Sequence, residues 1–113
     1  MRPDEILLLD MLLAAREALD FLGGVSAADF ERDRMRQLAV IKCIEIIGEA
    51  SAKVSEPFRV AHPEIPWRGM AGIRHRLVHG YSEIDVGRVW QTVVEDVPAL
   101  IAAVEKLLPS EEE

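Results

Sequence analysis

Apolar residues recur at steps of three and four along most of the chain, which is the spacing of one face of an α-helix. The pattern is strongest in three segments, residues 1–24, 35–55 and 86–108. No segment alternates apolar and polar residues at every second position, which is the pattern of a half-buried β-strand. The chain is therefore predicted to be all-α, a four- to five-helix up-and-down bundle.

Local signals define where several of these helices begin and end. Gly23 and Gly24 follow the first apolar segment, as glycines commonly follow the end of a helix. Ser26 is a residue type favoured at N-caps and predicts a short helix over residues 27–32. Asp85 predicts the start of the last helix by the same reasoning.

Prolines interrupt the middle of the chain. Residues 56–66 contain three of them and are predicted to form an irregular connection. After this connection, residues 67–79 are predicted to form one helix that Gly80 ends. This helix carries most of the candidate functional residues.

The segment at residues 38–47 has apolar side chains on more than one side of its helix, so we expect contacts on two sides. Gly48, Ala50 and Ala52 follow it and are small enough for the close approach of another helix. A monomeric bundle of this size rarely buries two sides of one helix. The pattern is therefore interpreted as the interface of a homodimer.

Length and charge narrow the class of protein. The 113 residues fit one domain, assigned to residues 1–108, followed by an acidic, disordered tail at residues 109–113. The 20 acidic and 13 basic residues give a net charge of −7, which argues against coating of long nucleic acid by bulk charge.

The single Cys43 excludes an internal disulfide and fits a small buried residue in a reducing cytosol. No apolar run is long enough for a membrane span, and the acidic start is unlike an export signal, so we expect a cytoplasmic protein.

In this acidic chain, Arg74, His75, Arg76 and His79 form a concentrated basic segment. On a helix, His75, Arg76 and His79 lie opposite the apolar residues, and Arg74 lies at the border. A guanidinium fits a phosphate with two hydrogen bonds, and an imidazole takes and gives protons near neutral pH. The segment therefore suits a site for phosphate chemistry, with His79 as the first candidate and Arg74, His75 and Arg76 beside it.

The same residues also have structural interpretations. His79 can cap a helix C-terminus, where cations are favoured, and the arginines can pair with Glu83 or Asp85 on a solvated face. His75 and His79 have the four-residue spacing of a helical metal pair. A zinc peptidase would need Glu where this chain has Arg76, and no Cys lies nearby, so no metal site and no cofactor are predicted.

Two further residues are candidates of a different kind. Glu49 is an acid in a segment otherwise suited to packing; it is a supporting residue of the site or, more simply, an ion partner for an arginine. Tyr81 is either a core aromatic residue or a nucleophilic or modifiable hydroxyl beside the basic segment.

The order of Arg74, four residues, His79, one residue and Tyr81 closely resembles the signature of the HEPN superfamily, in particular its HepT-like toxin family. Three further stretches resemble that family: IIGEA at residues 46–50, HPEIPW at residues 62–67 and VWQTVVEDVP at residues 89–98. The likeness therefore covers nearly the whole chain. Two positions depart from it, since His75 stands where Asn is usual and Ser82 stands where an aromatic residue is common.

The resemblance implies a helical homodimer whose two motifs face each other across a cleft. It implies a metal-independent endoribonuclease, the toxin of a type VII-like toxin–antitoxin system, acting on RNA, for which a structured RNA such as tRNA is one candidate. The implied partner is an MNT-type nucleotidyltransferase antitoxin that adds AMP to the motif residue Tyr81. The alternative is a non-catalytic, nucleotide-binding or interacting partner of such a nucleotidyltransferase.

The chemistry of the residues adds a mechanistic hypothesis to this resemblance. His79 would draw the proton from a ribose 2′-hydroxyl, and Arg74 would hold the scissile phosphate. His75, or His79 of the partner subunit, would protonate the leaving 5′-oxygen. The product would be a 2′,3′-cyclic phosphate, and DNA, which lacks the 2′-hydroxyl, should be inert.

Overall fold

The computed structural model describes residues 3–80 and 83–109. In this part of the chain, helices α1 (Pro3–Leu22), α2 (Ala27–Glu31) and α3 (Arg34–Lys53) come first, and α4 (Glu56–Ala61), α5 (Trp67–Ala71) and α6 (Ile73–Leu77) follow. Strands β1 (Val78–Gly80) and β2 (Glu83–Ile84) pair antiparallel, and α7 (Val86–Glu105) comes last. The predicted all-α fold class is confirmed.

Helix α3 lies at the centre of the fold. It packs most extensively against α1, and α5 and α6 pack on another side of it. Helix α7 covers α1 and also contacts α2. Apolar side chains from the three long helices and α2 fill the space between them: Leu8, Met11, Ala15, Ala18, Phe30, Val40, Ile44, Ile47, Val89, Val93 and Val97.

Several predicted helix ends are confirmed by their capping bonds. Gly23 and Gly24 end α1 with φ values of 63° and 72°, a conformation that glycine adopts without a steric penalty. The Ser26 hydroxyl accepts a hydrogen bond from the backbone N–H of Asp29 at the start of α2. Asp85 accepts one from the backbone N–H of Arg88 at the start of α7.

The prediction of an irregular connection over residues 56–66 is wrong for its first half, which forms α4. The Ser55 hydroxyl caps this helix by accepting a hydrogen bond from the backbone N–H of Phe58. Pro57 lies in the first turn, where a missing N–H costs nothing, so it favours the helix start instead of breaking the helix.

The prediction of one helix over residues 67–79 is also wrong. Gly72 separates α5 from α6 with φ and ψ of −96° and 4°. Helix α6 then ends at Leu77, because the β-branched Val78 adopts extended angles of −131° and 108° and begins β1. Strands of three and two residues are too short to show an alternating pattern, so the sequence did not predict them.

Ile41, Ile44 and Ile47 of α3 are buried within the chain, where α1 packs on one side of the helix and α5 and α6 pack on the other. Gly48 allows the close contact between α3 and α5, because a Cβ at this position would lie 3.1 Å from the backbone oxygen of Met70. The two-sided pattern is therefore explained without a second subunit and no longer supports the predicted homodimer. The homodimer itself stays a prediction.

Cys43 is buried on α3, as predicted for a small apolar residue. Burial, with a smaller effect of Glu17, raises the pKa of its thiol to about 11.

Across the described ranges, no helix combines the length and the apolar character that crossing a membrane requires. Tyr81 and residues 110–113 of the predicted acidic tail lie outside the described residues.

Asp4 in the first turn of α1 connects this helix to the start of α4. Its carboxylate accepts hydrogen bonds from the Ser55 hydroxyl at 2.6 Å and from the Ser55 backbone N–H at 2.9 Å. These two bonds lower the pKa of Asp4 below its ordinary value of 3.8. The ionised carboxylate therefore stabilises the folded state.

We predict that Asp4→Ala lowers the free energy of unfolding at neutral pH by about 1 kcal/mol more than Glu5→Ala does, a modest value because the bond is partly exposed to solvent. Glu5 is the matched control, since it carries the same charge in the same turn. Because the pKa of Asp4 is depressed on folding, its contribution is present above the unfolded pKa and is lost as the pH falls through the folded pKa. Denaturant unfolding at neutral and acidic pH measures both effects, and equal stabilities of the two variants at neutral pH would contradict the prediction.

Candidate active site

Helix α6 and strand β1 present the basic segment at the surface. Leu77 is buried and fixes α6 to the core, and its carbonyl accepts a hydrogen bond from the backbone N–H of Asp85. Arg74 and His75 lie on the exposed side of α6, and His79 lies exposed in β1. The short helix and the strand thus hold the segment against the core while its polar side chains face solvent.

Arg74, His75 and His79 line one pocket of about 190 Å³, together with Val78. The structure therefore brings together one guanidinium and two imidazoles. An exposed imidazole can accept or donate a proton, and a guanidinium can hold an anion next to it. The pocket has the groups needed for proton transfer beside a phosphate.

Arg74 is held by an acid that the sequence analysis missed. Its Nε donates to Oε1 of Glu45 on α3 at 2.6 Å. The second oxygen of Glu45 lies 3.8 Å from Nζ of Lys42. The Arg74 side chain remains 51% exposed, and within the described ranges no protein acceptor binds its two terminal nitrogens.

Glu49, the acid that the sequence analysis proposed instead, lies one turn after Glu45 on α3 and is exposed. It does not line the pocket of Arg74. The alternative partners Glu83 and Asp85 are not bonded to Arg74 either, and Asp85 caps α7. The signal that could have identified Glu45 was a row of polar residues at positions 42, 45 and 49, which share one side of an otherwise apolar helix.

Arg76 does not join the other basic residues. Its Nη2 donates to the backbone oxygen of Gly69 at 2.9 Å and so links α6 back to α5. The side chain lines a different, mainly apolar pocket of about 390 Å³, formed by α3, α5 and α7. The structure thus separates Arg76 from Arg74, which the single-helix prediction had placed near it.

The histidine pair no longer has helical metal spacing, because His75 lies in α6 and His79 in β1. Within residues 3–80 and 83–109, no three or more His, Cys, Asp or Glu side chains are grouped as ligands of a metal ion.

Comparison with known proteins identifies the family. A family model described as ribonuclease HepT-like matches residues 11–107. A protein of Thermococcus cleftensis named "Probable ribonuclease HepT" is 47% identical over 88 residues, which cover 78% of this chain and 80% of that protein. Two Methanocaldococcus jannaschii proteins, each named "Putative RNase", are 39% and 35% identical, covering 87% and 89% of this chain and 90% and 84% of their own lengths. No solved structure gives a significant match. The family model matches most of the chain, and these relatives align over most of their own length. The resemblance is therefore confirmed: the chain belongs to the HepT-like ribonuclease family of the HEPN superfamily.

Proposed function

We propose that this chain is a metal-independent endoribonuclease with its active site at the pocket of Arg74, His75 and His79. One observation carries the proposal: a guanidinium and two imidazoles share an exposed pocket in a member of a ribonuclease family. An open pocket suits a polymer substrate, since a strand of RNA can lie across it without entering an enclosed cavity.

The proposed reaction is transfer of the phosphate to the adjacent 2′-oxygen. His79 takes the proton of the ribose 2′-hydroxyl, and the 2′-oxygen attacks the phosphorus. Arg74 binds the non-bridging oxygens, which carry the growing charge. The bond to the 5′-oxygen breaks, and that oxygen receives a proton from His75 or from His79 of the partner subunit. DNA lacks the attacking hydroxyl and is not a substrate.

In this proposal, Arg76 and Glu49 support the site without contacting the substrate. Arg76 keeps α6 against α5 through its bond to the carbonyl of Gly69. Glu49 extends the polar row of α3 by one turn beyond the acid that binds Arg74.

We predict that His79→Ala and Arg74→Ala each reduce the rate of RNA cleavage by a factor on the order of 10²–10⁴, since each removes a group used in the transition state. Both side chains are exposed, so both variants should stay folded, and Arg74→Ala should lose only the modest stabilisation of its ion pair with Glu45. Arg68→Ala is the matched control, because it removes an exposed arginine of α5 that does not line the pocket. The measurement is the cleavage rate of a labelled RNA with each variant.

The same assay is repeated in EDTA, and cleavage is expected to persist. Loss of cleavage in EDTA, with recovery on adding zinc or manganese, would make His75 and His79 metal ligands and overturn the proposed mechanism. A wild-type protein that binds a nucleotidyltransferase but never cleaves RNA would favour the non-catalytic alternative.

We also propose a homodimer, for a reason different from the one that the sequence suggested. The outward side of α3 carries Met35, Leu38 and Lys42 in one row with Glu45, within an arc of about 100°. Met35 is 83% exposed and Leu38 is 38% exposed. This apolar surface is continuous with the acid that binds Arg74, so a second copy docked there would bring two pockets close to each other.

We predict that the double substitution Met35→Lys and Leu38→Lys converts the dimer to a folded monomer and lowers RNA cleavage. Like charges would then face each other across the interface, which is unfavourable. Val60→Lys is the matched control, since Val60 is 71% exposed on α4, away from this surface. Light scattering gives the mass of each variant. A wild-type monomer with full cleavage activity would contradict both the dimer and a shared cleft.

We propose that the chain is the toxin of a type VII-like toxin–antitoxin system, whose antitoxin is an MNT-type nucleotidyltransferase that transfers AMP to Tyr81. The tyrosine oxygen would attack the α-phosphorus of ATP, pyrophosphate would leave, and the phenolic proton would go to solvent. Tyr81 follows His79 by two residues, which span at most about 7 Å of chain. A phosphate on its oxygen would therefore stay close to the pocket and compete with the phosphate of the substrate for Arg74.

We predict that co-expression with such a nucleotidyltransferase adds one or more AMP groups to the wild-type chain and none to Tyr81→Phe. Intact-mass measurement detects the addition, and the modified protein should have lost RNA cleavage. An unmodified chain that is inactive only while in complex would mean that the partner acts by covering the pocket.

A further inference from the structure

We infer that Glu45 positions Arg74 for its contact with the scissile phosphate, an inference that rests on the proposed ribonuclease function. The bond between the Arg74 Nε and the Glu45 Oε1 is 2.6 Å long and joins α6 to α3 across 29 positions of sequence. It connects the candidate phosphate-binding residue to the helix at the centre of the fold.

The need for such a contact follows from where Arg74 lies. Helix α6 has five residues, and Arg74 projects from its exposed side. A free arginine side chain loses much rotamer entropy when a substrate orders it. Glu45, in contrast, has a side chain only 23% exposed and stands on a helix packed on two sides. The acid therefore offers a fixed point against which the guanidinium can be oriented before RNA binds.

The atom that Glu45 binds determines which atoms remain for the substrate. Bonding at Nε leaves the terminal nitrogens, which together can donate two parallel hydrogen bonds to a phosphate. Glu45 thus orients the guanidinium through Nε and leaves the two terminal nitrogens of Arg74 free for the phosphate. A lysine at position 74 has its three N–H donors on one nitrogen, so it could not bind Glu45 and also present two parallel hydrogen bonds to a phosphate.

The charge of the neighbouring Lys42 makes this arrangement compatible with an anionic substrate. An acid paired with Arg74 alone would give a neutral pair, which attracts phosphate weakly. Lys42 lies 3.8 Å from the second oxygen of Glu45, so Lys42, Glu45 and Arg74 together carry one net positive charge. The acid orients the arginine, and the lysine restores the attraction.

The inference is tested by measuring kcat and KM for RNA cleavage with the wild-type protein, Glu45→Ala and Glu45→Gln. We expect Glu45→Ala to lower kcat about 10- to 100-fold with a smaller change in KM, because a misplaced catalytic group mainly raises the barrier of the chemical step. Glu45→Gln keeps an acceptor oxygen without the charge and should retain an intermediate kcat. Glu105→Ala is the matched control, since it removes an acid from an exposed ion pair with Arg16, away from the pocket.

A double-mutant cycle separates positioning from a general effect of charge or stability. In the Arg74→Ala background, Glu45→Ala should cause no further loss of kcat, because the residue that it positions is already absent. An additive loss in the double variant would overturn the inference, and so would an increase in kcat with Glu45→Ala alone, which would make the ion pair a competitor of the substrate. A wild-type protein that cleaves RNA with a kcat equal to that of Glu45→Ala overturns this inference only. A wild-type protein that cleaves no RNA overturns the proposed function and this inference together.

Discussion

The packing of α3 between α1 on one side and α5 and α6 on the other is the constraint on which the rest of the structure depends. Helices of five residues such as α5 and α6 are not stable alone in water, so they persist only where they are packed. They can pack against α3 because Gly48 has no side chain that would keep the backbone of α5 away. The same packing leaves one row of α3 outside the core, and Glu45 lies in that row.

This arrangement makes a small positively charged site on an acidic protein. The net charge of −7 would repel RNA from most of the surface. The proposed site offers local attraction, since Arg74 shares its pocket with two imidazoles and Lys42 lies beside the acid that binds Arg74. An RNA strand would thus be attracted at one place, which suits an enzyme that cuts at selected positions better than one that coats its substrate.

Much of the fold followed from the sequence because its determinants are local. The apolar spacing of the three long helices and the caps at Ser26 and Asp85 involve residues that lie within a few positions of each other. The short elements were missed because local signals are ambiguous there. Pro57 reads as a breaker but lies in a first turn, and Val78 continues a helical apolar pattern but adopts an extended backbone.

The sequence indicated the family and the basic segment, but the contacts around that segment did not follow from it. The order of Arg74 and His79 in the sequence identified the family, which the comparisons confirm. The partner of Arg74 was missed, because several acids were available and the correct one, marked only by the polar row of α3, lies 29 positions away. The separation of Arg76 depended on the break at Gly72 and on the bond to Gly69, neither of which the helical pattern contains.

The most direct test of the proposed active site is the chemical identity of the RNA ends that the purified protein produces. A chimeric oligonucleotide with one ribose at the cleavage position is incubated with the protein, and the products are analysed by mass spectrometry. Transfer to the 2′-oxygen predicts a 2′,3′-cyclic phosphate on one fragment and a 5′-hydroxyl on the other, with no cleavage when that ribose is replaced by deoxyribose. A 5′-phosphate and a 3′-hydroxyl, or cleavage of the all-deoxy strand, would contradict the roles given to Arg74 and His79.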